Sequence, residues 1–225
     1  MGSEMCIRDS MATAAAAVTL ATALLLRFGR DIFVQLQENA ITDPLTGIFN
    51  RRGFELALEE SLDRGPDMPI SLILCDIDAF KRINDHHGHA VGDEVIARVA
   101  EIFEHYAGSS RQVACRLGGE EFALAIIKSR AGDAVQLAET IRQDIACQAV
   151  RAGNEIVRCT ASFGVAQRIK GESLRSLLVR ADRALYTSKE QGRNRVSLRT
   201  EEAIDQLKSA RWTPRDDTAR LTQTG

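Results

Sequence analysis

Acidic residues stand at two places where an apolar strand pattern stops. The run 70–77 is almost wholly apolar, and it ends in Asp76 with Asp78 just beyond. An ionised aspartate at the end of a buried strand is costly unless it is paired or bound to metal. Farther along, Glu120 and Glu121 follow two glycines. A strand-end aspartate and a hairpin-tip glutamate can together hold a divalent cation over nucleotide phosphates.

The two glycines, Gly118 and Gly119, lie between alternating apolar segments at 113–117 and 122–127. This pattern predicts a β-hairpin with a type I′ turn, because both central residues of that turn need positive φ. Neighbouring strand residues point to opposite faces, so Glu120 and Glu121 cannot both face one ligand along a regular strand. Taken alone, the stretch fits a solvated acidic tip equally well, and only the second acidic stretch favours a metal site.

Five motifs in order resemble the GGDEF family, the diguanylate cyclases, in its GGEEF variant. The resemblance covers residues 42–198. The motifs are Asp43-Pro44-Leu45-Thr46-Gly47 with Asn50-Arg51-Arg52, then Asp76-Ile77-Asp78-Ala79-Phe80-Lys81 with Asn84-Asp85, then Gly88-His89 with Gly92-Asp93, then the 118–122 hairpin, and last Ala181-Asp182 with Ala184-Leu185-Tyr186, Lys189 and Gly192-Arg193-Asn194.

The resemblance implies an α+β fold, with a nucleotidyl-cyclase or palm-like antiparallel sheet flanked by helices in the order βααββαβ. It implies condensation of two GTP into cyclic di-GMP, with release of two pyrophosphates. Each step would be attack of a 3′-hydroxyl on an α-phosphate, assisted by two Mg²⁺ or Mn²⁺ ions per active site. Because one site would hold one GTP, the working enzyme is expected to be a homodimer.

The family pattern also assigns roles to single residues. The metal ligands would be the carboxylates of Asp76 and Glu120 and the backbone carbonyl of Ile77. Glu120, Glu121 and Lys81 would be catalytic, with Glu120 favoured for deprotonating the attacking hydroxyl. The substrate would be held by residues that contact its base, ribose or phosphates, namely Phe80, Asn84, His89, Asp93, Gly118, Gly119, Lys189 and Arg193.

Those assignments agree with the chemistry of the side chains. The glycines lack Cβ and allow backbone N–H groups to approach phosphates. An Asp carboxylate can accept both N–H donors of the guanine edge, as expected of Asp93, and Asn84 can donate and accept. Judged alone, Asn84 and Asp93 also fit helix caps, and a lone lysine is usually a solvated surface residue.

A product-inhibition site common in the family is expected to be missing. Its Arg-x-x-Asp motif starts nine positions before the first glycine of the hairpin, where this chain has Ser109 and Gln112. Neither residue carries the charge needed to clamp a phosphate and a guanine. Three histidines at 86–89 suggest zinc, but no thiol or carboxylate set nearby in the sequence completes a tetrahedral site.

The sequence pattern divides the chain into five predicted regions. Residues 1–10 fit an artefact or a disordered start. Residues 11–27 fit a transmembrane helix, although the uncharged run is short for a bilayer, and a signal peptide or a soluble amphipathic helix is an alternative. Residues 28–41 fit a coiled-coil-like connector or a plain linker helix. Residues 42–199 form the catalytic domain, and 200–225 a polar, partly disordered tail.

Charge and cysteine content indicate the expected cellular location and binding partners. Arg27 and Arg30 follow the apolar segment, so the domain should face the cytoplasm from the inner membrane. A net charge of −2 gives no basic surface for nucleic acid. The five cysteines, none in a CxxC pair, fit reduced thiols.

Local patterns predict the other elements of the domain. Asn50 should cap a helix over 51–62. Further helices are expected over 78–84, 90–106, 133–150 and 174–190. Strands are expected over 70–77, 112–116, 121–128, 156–169 and 195–198, with Gly164 as a bulge.

Three other functions compete with the cyclase. A catalytically silent domain could bind GTP or signal through protein contacts, and metal-dependent turnover separates it from an enzyme. A nucleotidyl cyclase making a 3′,5′-cyclic mononucleotide would differ in product mass. A structural membrane-tethered coiled coil would leave Asp76 and Glu120 unexplained.

Overall fold

The computed structural model describes residues 20, 22–30, 41–65, 67–109, 111–153 and 155–199. The chain divides into two compact units, 1–41 and 42–225. In the first unit, residues 22–30 are helical and exposed. No helix among the described residues is both long and apolar enough to cross a membrane. Residues 1–10, most of 11–27 and of 28–41, and 200–225 lie outside the described residues.

The second unit contains eight strands and five helices among its described residues. In chain order they are β1 (Phe49–Asn50), α1 (Arg51–Arg64), β2 (Ile70–Ile77), α2 (Phe80–His87), α3 (His89–Tyr106), β3 (Gln112–Gly118), β4 (Glu121–Ile127), α4 (Ala131–Cys147), β5 (Val150–Ala152), β6 (Glu155–Val157), β7 (Ala161–Gln167), α5 (Leu174–Glu190) and β8 (Val196–Arg199).

Six strands form one mixed sheet in the order β1-β3-β4-β2-β7-β8. The inner pairs are antiparallel, and the outer pairs β1–β3 and β7–β8 are parallel. The predicted α+β class with an antiparallel centre is confirmed. Strands β5 and β6 form a separate hairpin. The predictions of a helix over 133–150 and of one strand over 156–169 miss this hairpin, because three-residue strands are too short to show alternation.

Strand β2 is buried along its whole length and divides the core into two layers. Ile73, Cys75 and Ile77 pack with α3 and α4. Leu72 and Leu74 pack with α1 and α5 on the other face. Helices therefore cover both sides of the sheet, and the end of β2 is fixed between two rigid layers.

Two local expectations have different outcomes. Asn50 caps α1 as predicted, and its side chain accepts a hydrogen bond from Gly53 N at 2.9 Å. The bulge predicted at Gly164 is wrong, because β7 keeps continuous register with β2 and β8 there. A Cβ at Gly164 would lie 2.2 Å from both Ala181 O and Leu185 N. The glycine instead allows α5 to approach the sheet closely.

Candidate active site

The acidic end of β2 lies beside the glycine hairpin. Asp76 is paired in register with Glu121 of β4 on one side and with Ser162 of β7 on the other. The next residue, Ile77, donates its backbone N–H to the carbonyl of Glu120 at 3.3 Å. The two acidic stretches of the sequence are therefore adjacent in the sheet.

The hairpin turn differs from the predicted type I′. Gly118 pairs with Glu121, after a register shift between Arg116 and Gly118, so Gly119 and Glu120 occupy the turn. Gly118 and Gly119 have φ of +147° and +54°, whereas Glu120 has no positive φ. Because Glu120 belongs to the turn, strand alternation does not force its side chain and that of Glu121 onto opposite faces.

Charge is concentrated around Asp76, which is only 8% exposed. Burial raises the pKa of its carboxyl, the ion pair with Lys189 opposes that rise, and the charges of Glu120 and Asp78 add to it. The Lys189 ammonium lies 2.6 Å from Asp76 Oδ2. Burial and the charge of Asp76 also raise the pKa of Glu121. The carboxylates are held together at an energetic cost that a cation would relieve.

The donor set suits a hard cation that also binds substrate oxygens. Asp76 and Glu120 could offer carboxylates, and Ile77 at the end of the same strand could offer a backbone carbonyl. Within the described residues, no three His, Cys, Asp or Glu side chains converge closely enough to hold a metal by themselves. Mg²⁺ is usually bound by one or two carboxylates together with substrate phosphates, so this arrangement fits such an ion.

A second group of predicted residues meets where α2 packs on α3. Asn84 Oδ1 is buried and accepts no hydrogen bond. Gly92 faces it, and a Cβ there would lie 1.9 Å from Asn84 Oδ1 and 3.2 Å from Phe80 Cζ. An unsatisfied buried acceptor is rare in proteins and indicates a missing donor. Asp93 follows Gly92 and is exposed.

Gly92 had no assigned role in the sequence reading, although it stands in one of the quoted motifs. The signal was the glycine inside a helix, which usually has a packing reason. Two other predicted residues lie at helix starts: exposed Lys81 is in the first turn of α2, and exposed His89 opens α3. Lys81 forms no ion pair with the part of the chain that is described.

Arg193 lies in a constrained loop after α5. Gly192, Arg193 and Asn194 have φ of +110°, +64° and +46°. Left-handed residues other than glycine cost energy and need support from their surroundings. Asp78 Oδ2 accepts the backbone N–H of Asn194 at 3.0 Å. Arg142 of α4 donates to Asn194 Oδ1 at 2.7 Å.

Asp78, which directly follows β2 and has no role in the sequence-based assignments, supports this loop. It is buried and also accepts hydrogen bonds from Thr160 Oγ1 at 2.7 Å and Ser162 Oγ at 2.6 Å. Its carboxylate therefore ties the loop with Arg193 to the strand that carries Asp76. The available signal was its spacing, two residues after Asp76 at the end of a buried strand.

Arg116 forms a second missed link. Its guanidinium contacts both carboxylate oxygens of Asp43, at 3.1 and 3.2 Å, and Nε donates to Gly119 O at 2.9 Å. Burial tends to raise the pKa of Asp43, but hydrogen bonds from Thr46 and Arg116 outweigh it and lower that pKa. The first turn of the domain is thereby connected to the hairpin.

Ser109 and Gln112 occupy the positions of the family's product-inhibition motif, and their side chains form a hydrogen bond with each other. Ser109 Oγ donates to Gln112 Oε1 at 2.8 Å, and neither side chain is charged.

Comparison with known proteins agrees with this geometry. Residues 40–195 match the family described as "Diguanylate cyclase, GGDEF domain". Diguanylate cyclase VdcA of Vibrio cholerae is 39% identical over 170 residues, which are 74% of this chain and 49% of VdcA. Response regulator PleD of Caulobacter vibrioides is 40% identical over 167 residues, 71% of this chain and 36% of PleD. The chain therefore belongs to the GGDEF family, and it spans half or less of the length of these relatives.

Solved structures give the same result. The GGDEF domain of DgcB from Caulobacter crescentus, in complex with c-di-GMP, has a TM-score of 0.65 and 39% identity, and the match covers 71% of this chain and 96% of that domain. Diguanylate cyclase SiaD from Pseudomonas aeruginosa, in complex with its activator SiaC, has a TM-score of 0.66 and 33% identity, covering 84% of this chain and 74% of SiaD.

Proposed function

We propose that this protein is a diguanylate cyclase that condenses two GTP molecules into cyclic di-GMP and releases two pyrophosphates. The observation that carries the proposal is the pairing of Asp76 with the Gly-Gly-Glu-Glu-Phe hairpin, in a chain whose relatives at about 40% identity are named diguanylate cyclases. The retained carboxylates and glycines are the groups that phosphoryl-transfer chemistry needs.

Divalent cations, Mg²⁺ or Mn²⁺ and two per site in this proposal, would stabilise the charge on the α-phosphate and on the leaving pyrophosphate. Asp76, Glu120 and the carbonyl of Ile77 are the proposed ligands. The raised pKa of Asp76, caused by burial and by nearby carboxylates, supports the presence of a cation in the working state.

The other residues of the site take proposed roles that follow from their positions. Glu120 or Glu121 accepts the proton of the attacking 3′-hydroxyl, and the raised pKa of Glu121 brings that residue closer to neutral pH. Lys189 neutralises phosphate charge when it leaves Asp76. Lys81 contacts phosphates from the first turn of α2, and Arg193 does so from the loop after α5. Gly118 and Gly119 expose backbone N–H groups at the same end of β2.

Guanine recognition is assigned to the pocket between α2 and α3. The free acceptor Asn84 Oδ1 supports it, because a purine N–H donor would satisfy an atom that is otherwise buried without a partner. Asp93 would accept from the guanine edge, while Phe80 and His89 would line the base or ribose pocket. An adenine base would leave the acceptors unpaired, so selectivity for GTP follows.

Cyclisation of two GTP molecules requires two such sites, so the active form is proposed to be a homodimer with the two hairpins facing each other. Because the proposed substrate GTP is available in the cytoplasm, the catalytic domain is proposed to lie there. Attachment to the inner membrane through residues 11–27 stays a prediction. Ser109 and Gln112 lead us to propose weak product inhibition, which sub-micromolar binding of cyclic di-GMP in calorimetry would contradict.

The test uses the full chain, incubated with GTP and Mg²⁺ and analysed by mass spectrometry. Cyclic di-GMP is expected from the parent and from Glu59→Ala, which removes an exposed carboxylate of α1, and not from Glu120→Ala. Bound GTP without any product, at high protein concentration, would instead favour a silent GTP-binding domain. A cyclic mononucleotide would overturn the proposed reaction.

A further inference from the structure

A cavity of about 770 Å³ lies between α2, the β5–β6 hairpin and the loop after α5. The proposed reaction gives it no role. Its basic lining consists of Arg82, His86, His87, Arg158 and Arg193. Apolar side chains, among them Ile83 and Ile156, form the rest of the wall. Its volume suits a small-molecule ligand.

The charges of this cavity are unbalanced. Asp78 is the one carboxylate among the described residues that line it, and its oxygens accept hydrogen bonds from Thr160, Ser162 and Asn194. Arg158 uses one guanidinium nitrogen on the carbonyl of Cys147, which leaves its other donors for a ligand. Arg82 forms no ion pair within the described part of the chain.

The two histidines form part of the same surface. His86 Nδ1 lies 2.8 Å from the backbone oxygen of Arg82, so this nitrogen donates to that oxygen and holds the ring against α2. His87 Nδ1 lies 3.5 Å from a carboxylate oxygen of Glu155, which stands on the β5–β6 hairpin. Two elements that are distant in sequence therefore close around a basic space.

This cavity is separate from the guanine pocket. Phe80 and Asn84, four residues apart, share the face of α2 that meets Gly92. Arg82 and His86, also four residues apart, occupy a different face. The cavity touches the proposed catalytic site only at its phosphate end, through Asp78, Ala79 and Arg193.

We propose that this cavity is a second anion site, which binds a chain of linked phosphates through Arg82 and Arg158. Two sources have this chemistry: free inorganic pyrophosphate, and the polyphosphate end of a nucleotide. Guanidinium groups suit such ligands because their planar fork can donate two hydrogen bonds to one phosphate. The proposal rests on the proposed function only for the position of the catalytic phosphates, because binding requires no turnover.

The test is calorimetric titration of the full chain with inorganic pyrophosphate in EDTA. Without divalent metal, the carboxylates of Asp76, Glu120 and Glu121 repel an anion, so the second site is measured alone. One pyrophosphate should bind per chain. Loss of a charged hydrogen-bonding partner should weaken binding about tenfold or more, so Arg82→Ala and Arg158→Ala should each show that loss.

Two matched controls separate this site from the rest of the molecule. Arg98→Ala removes an exposed arginine of α3 that pairs with Glu101, and it should bind pyrophosphate as the parent does. Asn84→Ala alters the guanine pocket and should do the same. Equal affinity in parent, Arg82→Ala and Arg158→Ala, or no binding to the parent, would overturn the proposal.

A competition arm identifies the source of the phosphates. If ATP displaces pyrophosphate in EDTA, nucleotide tails reach the cavity; if it does not, free pyrophosphate is the ligand, and both results support an anion site. Cyclase activity is measured separately on the same samples. A parent that makes no cyclic di-GMP but binds pyrophosphate would refute the proposed function and leave the second site standing.

Discussion

The ammonium group of Lys189 lies 2.6 Å from the carboxylate of Asp76, so the last helix places a cation on the residue proposed to bind metal. The pair is partly buried, with side-chain exposures of 31% for Lys189 and 11% for Asp76. In such a position the lysine can balance the carboxylate when no nucleotide is bound. The same ammonium group can then turn to a phosphate oxygen when metal and GTP arrive.

Replacement of Lys189 should therefore damage catalysis much more than folding. We expect Lys189→Ala to lower the turnover of GTP about 100-fold, the order seen when one preorganised charge donor is removed from a transition state. Lys189→Arg should recover part of that loss. Lys170→Ala breaks an exposed pair with Asp67 and serves as the control. Unchanged turnover in Lys189→Ala would exclude the proposed role.

Glu121 should make stability depend on pH in a defined direction. Burial and the charge of Asp76 raise its folded-state pKa above the ordinary 4.5, so the ionised form destabilises the fold. That cost is absent below the unfolded pKa and grows as pH rises through the folded one. At pH 7, Glu121→Gln should therefore melt higher than the parent, by an amount that solvent screening keeps small because the Glu121 side chain is exposed.

Thermal melts from pH 4 to pH 8 check this expectation. The advantage of Glu121→Gln should shrink toward pH 4, where the parent becomes protonated. Glu59→Gln, at an exposed position of α1, should follow the parent at every pH. A parent that melts higher than Glu121→Gln at pH 7 would show that Glu121 is stabilised by its surroundings.

Gly92→Ala should impair GTP binding with little change of fold. The added Cβ would lie 1.9 Å from Asn84 Oδ1, and Asn84 can rotate away only by leaving its position in the proposed guanine pocket. We expect GTP affinity to fall about tenfold, as for loss of a hydrogen bond at a buried polar group. Titration with a fluorescent GTP analogue measures it, and equal affinity in variant and parent would contradict the assignment.

Gly132→Ala is the matched control for Gly92→Ala and for Gly164→Ala. Gly132 lies in α4, has no positive φ, and a Cβ there meets nothing within 4 Å. Alanine is favoured over glycine in helices, so this variant should be as stable as the parent or more stable.

Gly164→Ala should instead destabilise the whole domain. Its Cβ would meet backbone atoms of Ala181 and Leu185 at 2.2 Å, and backbone cannot move aside as a side chain can. We expect a loss of about 1–3 kcal/mol, the usual cost of overpacking, or more. Urea denaturation measures it. A variant as stable as the parent would mean that α5 can lift from β7 at no cost.

The sequence predicted the bounds of helices and strands most accurately where the residue pattern is long. The bounds of β2 and α5 agree with the structure at both ends, because a fully apolar run and a helical period leave few alternatives. The β5–β6 hairpin was missed, since three residues carry no readable period. The bulge predicted at Gly164 was wrong because a glycine within a strand is typical both of a bulge and of a close contact with a helix. Only the packing in the structure distinguishes the two.

In the candidate site, too, some features could be predicted from the sequence and others could not. Asp76 could be proposed from its position at the end of an apolar run, and Glu120 from its position after two glycines. Their proximity follows from the pairing of β2 with β4. The contacts of Asp78 and Arg116 could not be proposed, because their partners Asn194 and Asp43 are 116 and 73 residues away in sequence. Such contacts depend on the three-dimensional arrangement, which local patterns do not contain.

The borders of the sheet have a further consequence. Its outer strands β1 and β8 have only two and four residues among those described. Short edges offer few free backbone groups to a neighbouring chain, which limits aggregation through strand addition. Domains of this type can therefore be held close together at high local concentration while their sheets stay separate.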